Sequence, residues 1–258
     1  MGATPRAGAW AGAALRADEP GAADGGRGAR IVYQPCVTTM MAAMQPALAS
    51  RAFVDGGRVL SINLAGDMLE SRLGPPRYRD AALLELLRFG QLAHRAGWEV
   101  HIVKHHQNDG LASYYNAHPE LQFPHTQVRL YMKTAGHIYR YYRGVAVAAS
   151  MRGHGVMIPF GIHCATISLI SHDKVQSFVN DIGRPEWGVE MTEDRRGGVA
   201  KGIADDAFAI LQRFDRDRPR IYAEVREAQA ALLAHTAENF RRFAELMMPR
   251  VRGLLHSS

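Results

Sequence analysis

Short apolar runs alternate along this chain with longer stretches in which apolar residues return every three or four positions. "VLSINL" from Val59, "WEVHIVK" from Trp98, "VAVAAS" from Val145 and "ATISLI" from Ala165 are short apolar runs, each followed within a few residues by Gly, Asp or His. Runs of this length, rich in Val and Ile, predict strands. "RIVYQPCV" predicts one more at Ile31–Tyr33, and "VRLYMKTAGHIYRYYRG" a short strand followed by a helix ending near Gly144. Between the runs the period changes. Asp80 to Ala96 carries Leu83, Leu84, Leu87 and Leu92 at helical spacing, with Gly97 placed to end the helix. "MMAAMQPALASRAF" predicts a helix that Pro46 breaks or restarts. Gly155–Gly161 and "DKVQSFVNDIG" predict two more helices. In the last stretch Ile221, Val225, Ala228, Leu232, Phe240, Phe243 and Met247 share one helical face. That spacing predicts a single long amphipathic helix packed across the domain, with Arg226, Arg241 and Arg242 as its solvated side.

Alternation of strands and helices predicts an α/β fold, a Rossmann-like parallel sheet with helices on both faces. Three segments follow: an Ala/Gly-rich leader over residues 1–29 with nothing periodic to pack, the sheet domain over 30–200, and a C-terminal helical extension over 201–258 packing on it.

Composition narrows the class. The chain has 258 residues, 47% of them hydrophobic, enough for a sizeable core. A formal charge of +6 favours anionic partners, but Lys and Arg are dispersed, so no nucleic-acid partner is expected. Cys36 and Cys164 form no CxxC pair, which points to a reducing, cytoplasmic setting. No apolar run approaches the roughly 18 residues of a membrane span.

The polar residues cluster where strands end. Asn63, Gly66 and Asp67 follow one strand, His105, His106, Gln107, Asn108 and Asp109 the next. Ser150, Arg152, Gly153, His154 and Gly155 follow "VAVAAS", and Ser171, His172, Asp173 and Lys174 follow "ATISLI". In an open parallel sheet these ends share one edge, where ligands bind. "MRGHG" sits where a strand hands over to a helix. Free amides and a positive dipole face that point. Glycines let an anion approach them, arginine adds a fork of donors, and histidine carries a proton near neutral pH. The competing reading is that Gly153 and Gly155 serve close strand–helix packing while Arg152 reaches solvent. "SHDK" suits ligand contact or simple helix capping. "HHQND" contains metal-ligand residue types, yet no HxxxH or HExxH spacing accompanies them, so no metal and no cofactor is expected.

The stretch "VAVAASMRGHGVMIPFGIHCATISLISHDKVQSFVNDIG" resembles the C-terminal hallmark of the polysaccharide pyruvyl transferase family. "INLAGD" and "KHHQND" fall where that family has loops after earlier strands, and the resemblance covers about residues 30–190. It implies a two-Rossmann-half architecture and an enzyme of exopolysaccharide or cell-surface glycan synthesis. Such an enzyme moves an enolpyruvyl unit from phosphoenolpyruvate onto two hydroxyls of a glycan or lipid-linked sugar. Arg152 would bind the donor phosphate or carboxylate, and His154 would be the acid or base. Ser150, Gly153, Gly155, His105, His106, Asp109, Asn63, Ser171, Asp173 and Lys174 would line the substrate side. Family members are longer, so this chain is expected to correspond to the second half, with the first half as a separate partner. A nucleotide-sugar glycosyltransferase half and a non-catalytic binding module are the alternatives.

Overall fold

The computed structural model describes residues 33–109, 111–193 and 200–255. The chain divides into two compact units, one of which is Cys36–Leu233. The other includes Tyr33–Pro35 and the helix from Ala234 onward.

Six strands form the sheet: β1 (Val59–Asn63), β2 (Glu99–Lys104), β3 (His125–Arg129), β4 (Val147–Ser150), β5 (Ala165–Ile170) and β6 (Gly188–Glu190). The helices are α1 (Met41–Met44), α2 (Leu69–Leu73), α3 (Pro76–Arg95), α4 (Ala112–Ala117), α5 (Ala135–Tyr142), α6 (Gly153–Gly161), α7 (Asp173–Asp181), α8 (Ile203–Arg216) and α9 (Arg218–Leu255). The strands lie in the order β3-β2-β1-β4-β5-β6, and every pairing is parallel. This is the Rossmann-like arrangement, with its order reversing between β1 and β4.

Alternation along the strands sets the two faces. Leu60 and Ile62, Val100 and Ile102, Val147 and Ala149, Ile167 and Leu169 point into one large core. Leu83, Leu86, Leu87 and Phe89 of α3 and Ala207, Leu211 and Phe214 of α8 close it. A smaller cluster on Val103, Ala148 and Cys164 takes Tyr142 from the end of α5 and Ile162 after α6. Burying one such Leu or Phe stabilises the fold by about 1.5–3 kcal/mol.

The turn after α3 follows from one residue. Gly97 adopts φ +84°, donates to His94 O at 2.9 Å, and lets Trp98 N donate to Ala93 O at 3.1 Å. These are the paired bonds of a Schellman cap.

Several elements differ from the sequence pattern. Ile31 and Val32 of the expected first strand, like the leader over 1–29, lie outside the described residues, and Tyr33 is not in a strand. Pro46 opens a short 3-10 turn after α1, so "MMAAMQPALASRAF" is two short pieces. The long helix expected over 221–247 is α9, α8 precedes it, and the unit Cys36–Leu233 includes α8 and the start of α9. On α9 the face expected to be apolar is buried only at first. Ile221, Val225, Ala228 and Leu232 are in the core, whereas Phe240 and Phe243 are exposed. No helix among the described residues is long and apolar enough to cross a membrane.

Candidate functional site

Because all strands run the same way, the loops after β2, β1, β4 and β5 stand side by side on one edge. Their floor is a buried polar lattice. Asn63, the last residue of β1, donates through Nδ2 to Val103 O at 2.8 Å and to Asp109 Oδ2 at 3.0 Å. Its Oδ1 accepts from Ser150 Oγ at 2.8 Å, and Ser150 Oγ in turn accepts from Arg152 N at 2.9 Å. One amide side chain thus ties β2, β1 and β4 together at the point where the strand order reverses.

Asp109 is the hub of this floor. It has no exposed surface. Its oxygens accept from the amides of Gly66 (3.1 Å), His105 (3.0 Å) and His106 (3.0 Å). Arg152 closes on it with Nε at 2.9 Å and Nη2 at 2.6 Å. Burial alone would raise the carboxyl pKa. The Arg152 guanidinium, Asn63 and the Gly66 amide outweigh that and hold it below the ordinary value. Arg152 Nη2 also donates to Asp67, on the 3-10 turn Gly66–Met68 that follows β1. Burial opposes the charge on Arg152, and the two carboxylates restore it, with a net upward shift.

Above the floor stand cations without carboxylate partners among the described residues. Arg72, on α2, donates through Nη1 to Met151 O at 3.4 Å. Its pKa is lowered, first by burial and then by the charge of Arg152. Lys174, in the first turn of α7, is exposed and lies against Gly153, where an added Cβ would come 3.0 Å from Lys174 Cε. The segment Met151–Gly153 therefore runs between Arg72 and Lys174. His154 is exposed beside it, its pKa lowered by burial and then by Lys174. His172 is lowered by burial, then by Arg72 and Lys174, and contacts Ser171 Oγ through Nδ1 at 3.3 Å. Neither α6 nor α7 has a side-chain cap on its first amides. Two uncapped helix starts and four nitrogenous side chains on one edge suit an anion carrying more than one negative charge.

The residues expected from sequence divide into two groups. Arg152, Gly153, His154, Asp173 and Lys174 come together at the surface of the edge, with Asp173 exposed in the first turn of α7. Asn63, Ser150 and Asp109 lie beneath it and spend their polar atoms on one another. Gly155 belongs to the floor too, since a Cβ there would collide with Ser150 Oγ and sit 3.3 Å from Asn63 Oδ1. His105 turns away. Its Nε2 meets Tyr142 Oη at 2.6 Å, the rings stack at 6.0 Å, and burial pushes its pKa down to about 4. Ser171 is buried, and His106 stands at the β1–β2 side with Nδ1 4.0 Å from Asp67. Arg72 joins this edge without belonging to any of the polar clusters in the sequence. Its signal in the sequence is only its position in the loop after a strand.

Asp67, His106 and Asp109 place ligand atoms within 4.8 Å of one another, but both carboxylates are already engaged by Arg152. Concavities also lie elsewhere, one bounded by Leu87, Lys104, Tyr115 and His125, another by His94, Trp98 and His125 at the amino ends of β2 and β3. Among the described residues, Lys104 is the only Lys or Arg in either lining. No protein-family model matches the sequence, and no curated protein is significantly similar to it.

Proposed function

We propose that this edge binds phosphoenolpyruvate and that the chain is the donor-binding half of a polysaccharide pyruvyl transferase. The observation that supports the reading is a pair of cations without an ion pair among the described residues, Arg72 and Lys174, set with the imidazoles of His154 and His172 around two uncapped helix starts. Phosphoenolpyruvate carries a phosphate and a carboxylate on three carbons, and two adjacent helix starts offer a seat for each. In this reading Arg72 and Lys174 take the anionic groups. Arg152 orders the loop and offers only Nη1, the nitrogen that no carboxylate occupies.

His154 is the proton carrier. Its lowered pKa keeps the imidazole neutral near pH 7, ready to accept a proton. His154 takes the proton of a sugar hydroxyl as its oxygen bonds to C2 of the donor, and that proton passes to C3, which becomes a methyl group. The C2–phosphate bond breaks, a second hydroxyl adds to C2, and its proton leaves with the phosphate. The product is a pyruvate ketal and inorganic phosphate.

Titration calorimetry tests the donor. Phosphoenolpyruvate is expected to bind more tightly than a UDP-sugar, and Arg72→Ala or Lys174→Ala to weaken it about tenfold or more. His154→Gln is expected to leave donor affinity nearly intact. Tighter binding of the UDP-sugar would instead favour a nucleotide-sugar glycosyltransferase half.

A further inference from the structure

Arg152 presents two hydrogen-bonding edges, and they are held in different ways. The side edge, Nε with Nη2, is locked onto Asp109 at 2.9 and 2.6 Å. Asp109 cannot move, because it is fully buried and also holds the amides of Gly66, His105 and His106. The outward edge is Nη1 with the second hydrogen of Nη2. Asp67 stands on the Nη2 half of it, and Nη1 has no partner among the described residues. Asp67 is held loosely by comparison. It sits on a turn flanked by exposed Met68, its side chain is 27% exposed, and its other neighbours among the described residues are the His106 ring at 4.0 Å and the charge of Arg72. Two carboxylates on one guanidinium leave that trio with an excess negative charge, which Arg72 feels from a distance without an ion pair of its own among the described residues.

We propose that Asp67 is a built-in competitor for the outward edge of Arg152, which an incoming phosphate or carboxylate must displace. This rests on the anion reading of the edge and adds a determinant of specificity to it. A neutral ligand cannot replace the charge that Asp67 supplies to Arg152. A dianion can, and gains a bidentate contact on Nη1 and Nη2. While Asp67 occupies the edge, the binding-competent fraction of the protein is reduced, and apparent affinity falls by that fraction.

The test is calorimetry with inorganic phosphate and with phosphoenolpyruvate on the full chain. Asp67→Asn keeps the size of the side chain and removes its charge. It is expected to bind both anions about tenfold more tightly than wild type, a gain that a merely structural residue would not produce. Asp67→Ser serves as a second variant should the new amide find its own bond to Arg152. The gain is expected to vanish when Arg152→Gln is added, as a double-mutant cycle requires of a direct competitor. Equal or weaker anion binding by both Asp67 variants, with wild type still binding, overturns the competitor role and leaves the anion site standing. A gain that persists without Arg152 is a general charge effect and also overturns it. If wild type and Asp67→Asn bind neither anion, the anion reading fails, and the competitor role falls with it.

Discussion

Asp109 and Asp67 grip the same guanidinium, yet removing them should have very different consequences. Asp109→Ala leaves Arg152 and several amides facing a vacated, buried acceptor, which is the costly way to break an ion pair. We expect a loss of about 3–5 kcal/mol in a urea titration. Asp67→Asn removes a part-exposed pair and should cost about 1 kcal/mol or less. His105 gives a pH signature. Its folded pKa, about 4, lies below the ordinary value of 6.5. The neutral ring therefore contributes stability that is fully present above pH 6.5 and is lost as pH falls toward 4. In His105→Phe, which keeps the stacking on Tyr142, the urea midpoint should fall less over that window; an unchanged pH slope would count against a buried neutral imidazole. Arg152, His154 and Lys174 could be located from sequence because each directly follows a strand. The grip of Asp67 on Arg152 could not, because it joins residues 85 apart, and charge spacing within one sequence carries no information on such pairs.

Glycines mark the joints between elements, and they do so for different reasons. At Gly97 the need is conformational, since φ +84° suits a residue without Cβ. Gly97→Ala should cost about 1 kcal/mol, lowering the melting temperature by about 2–4 °C. At Gly155 the need is space. Gly155→Ala would push Ser150 off Asn63, and overpacking of this kind costs about 1–3 kcal/mol. A calorimetric scan of both variants checks the pair; a neutral Gly155→Ala would return that glycine to the role of opening the helix start to ligand. The elements themselves were legible in proportion to their burial. β4 and β5 are buried throughout and read as continuous apolar runs. β3 has no buried residue, and its polar "HTQVR" masks most of the strand. β6 has three residues, too few for a period, and α8 was absorbed into the helical stretch that follows it.

At the scale of the whole sheet, sequence alone implied parallel strands but not their order. Alternation with helices is enough for the first. The order depends on which strand β4 joins after leaving α5, and β4 pairs with β1, across more than 80 residues of chain. That one pairing creates the reversal point, sets Asn63 against Ser150, and brings the Arg72 and Lys174 loops to either side of "MRG". A ligand bound there touches loops from three strands and should stabilise the sheet unit as a body. At a hundredfold excess over its dissociation constant it contributes about 2.7 kcal/mol. For a unit of this size the melting temperature should then rise by about 5–10 °C. We expect phosphoenolpyruvate to produce this rise, a UDP-sugar at equal concentration to produce little, and the Arg72→Ala/Lys174→Ala double variant to lose it. Hydrogen exchange should locate the protection in residues 63–67, 150–155 and 171–175. Protection confined to the groove around His94, Trp98 and His125 would move the ligand to the opposite end of the strands and break the link between strand order and function.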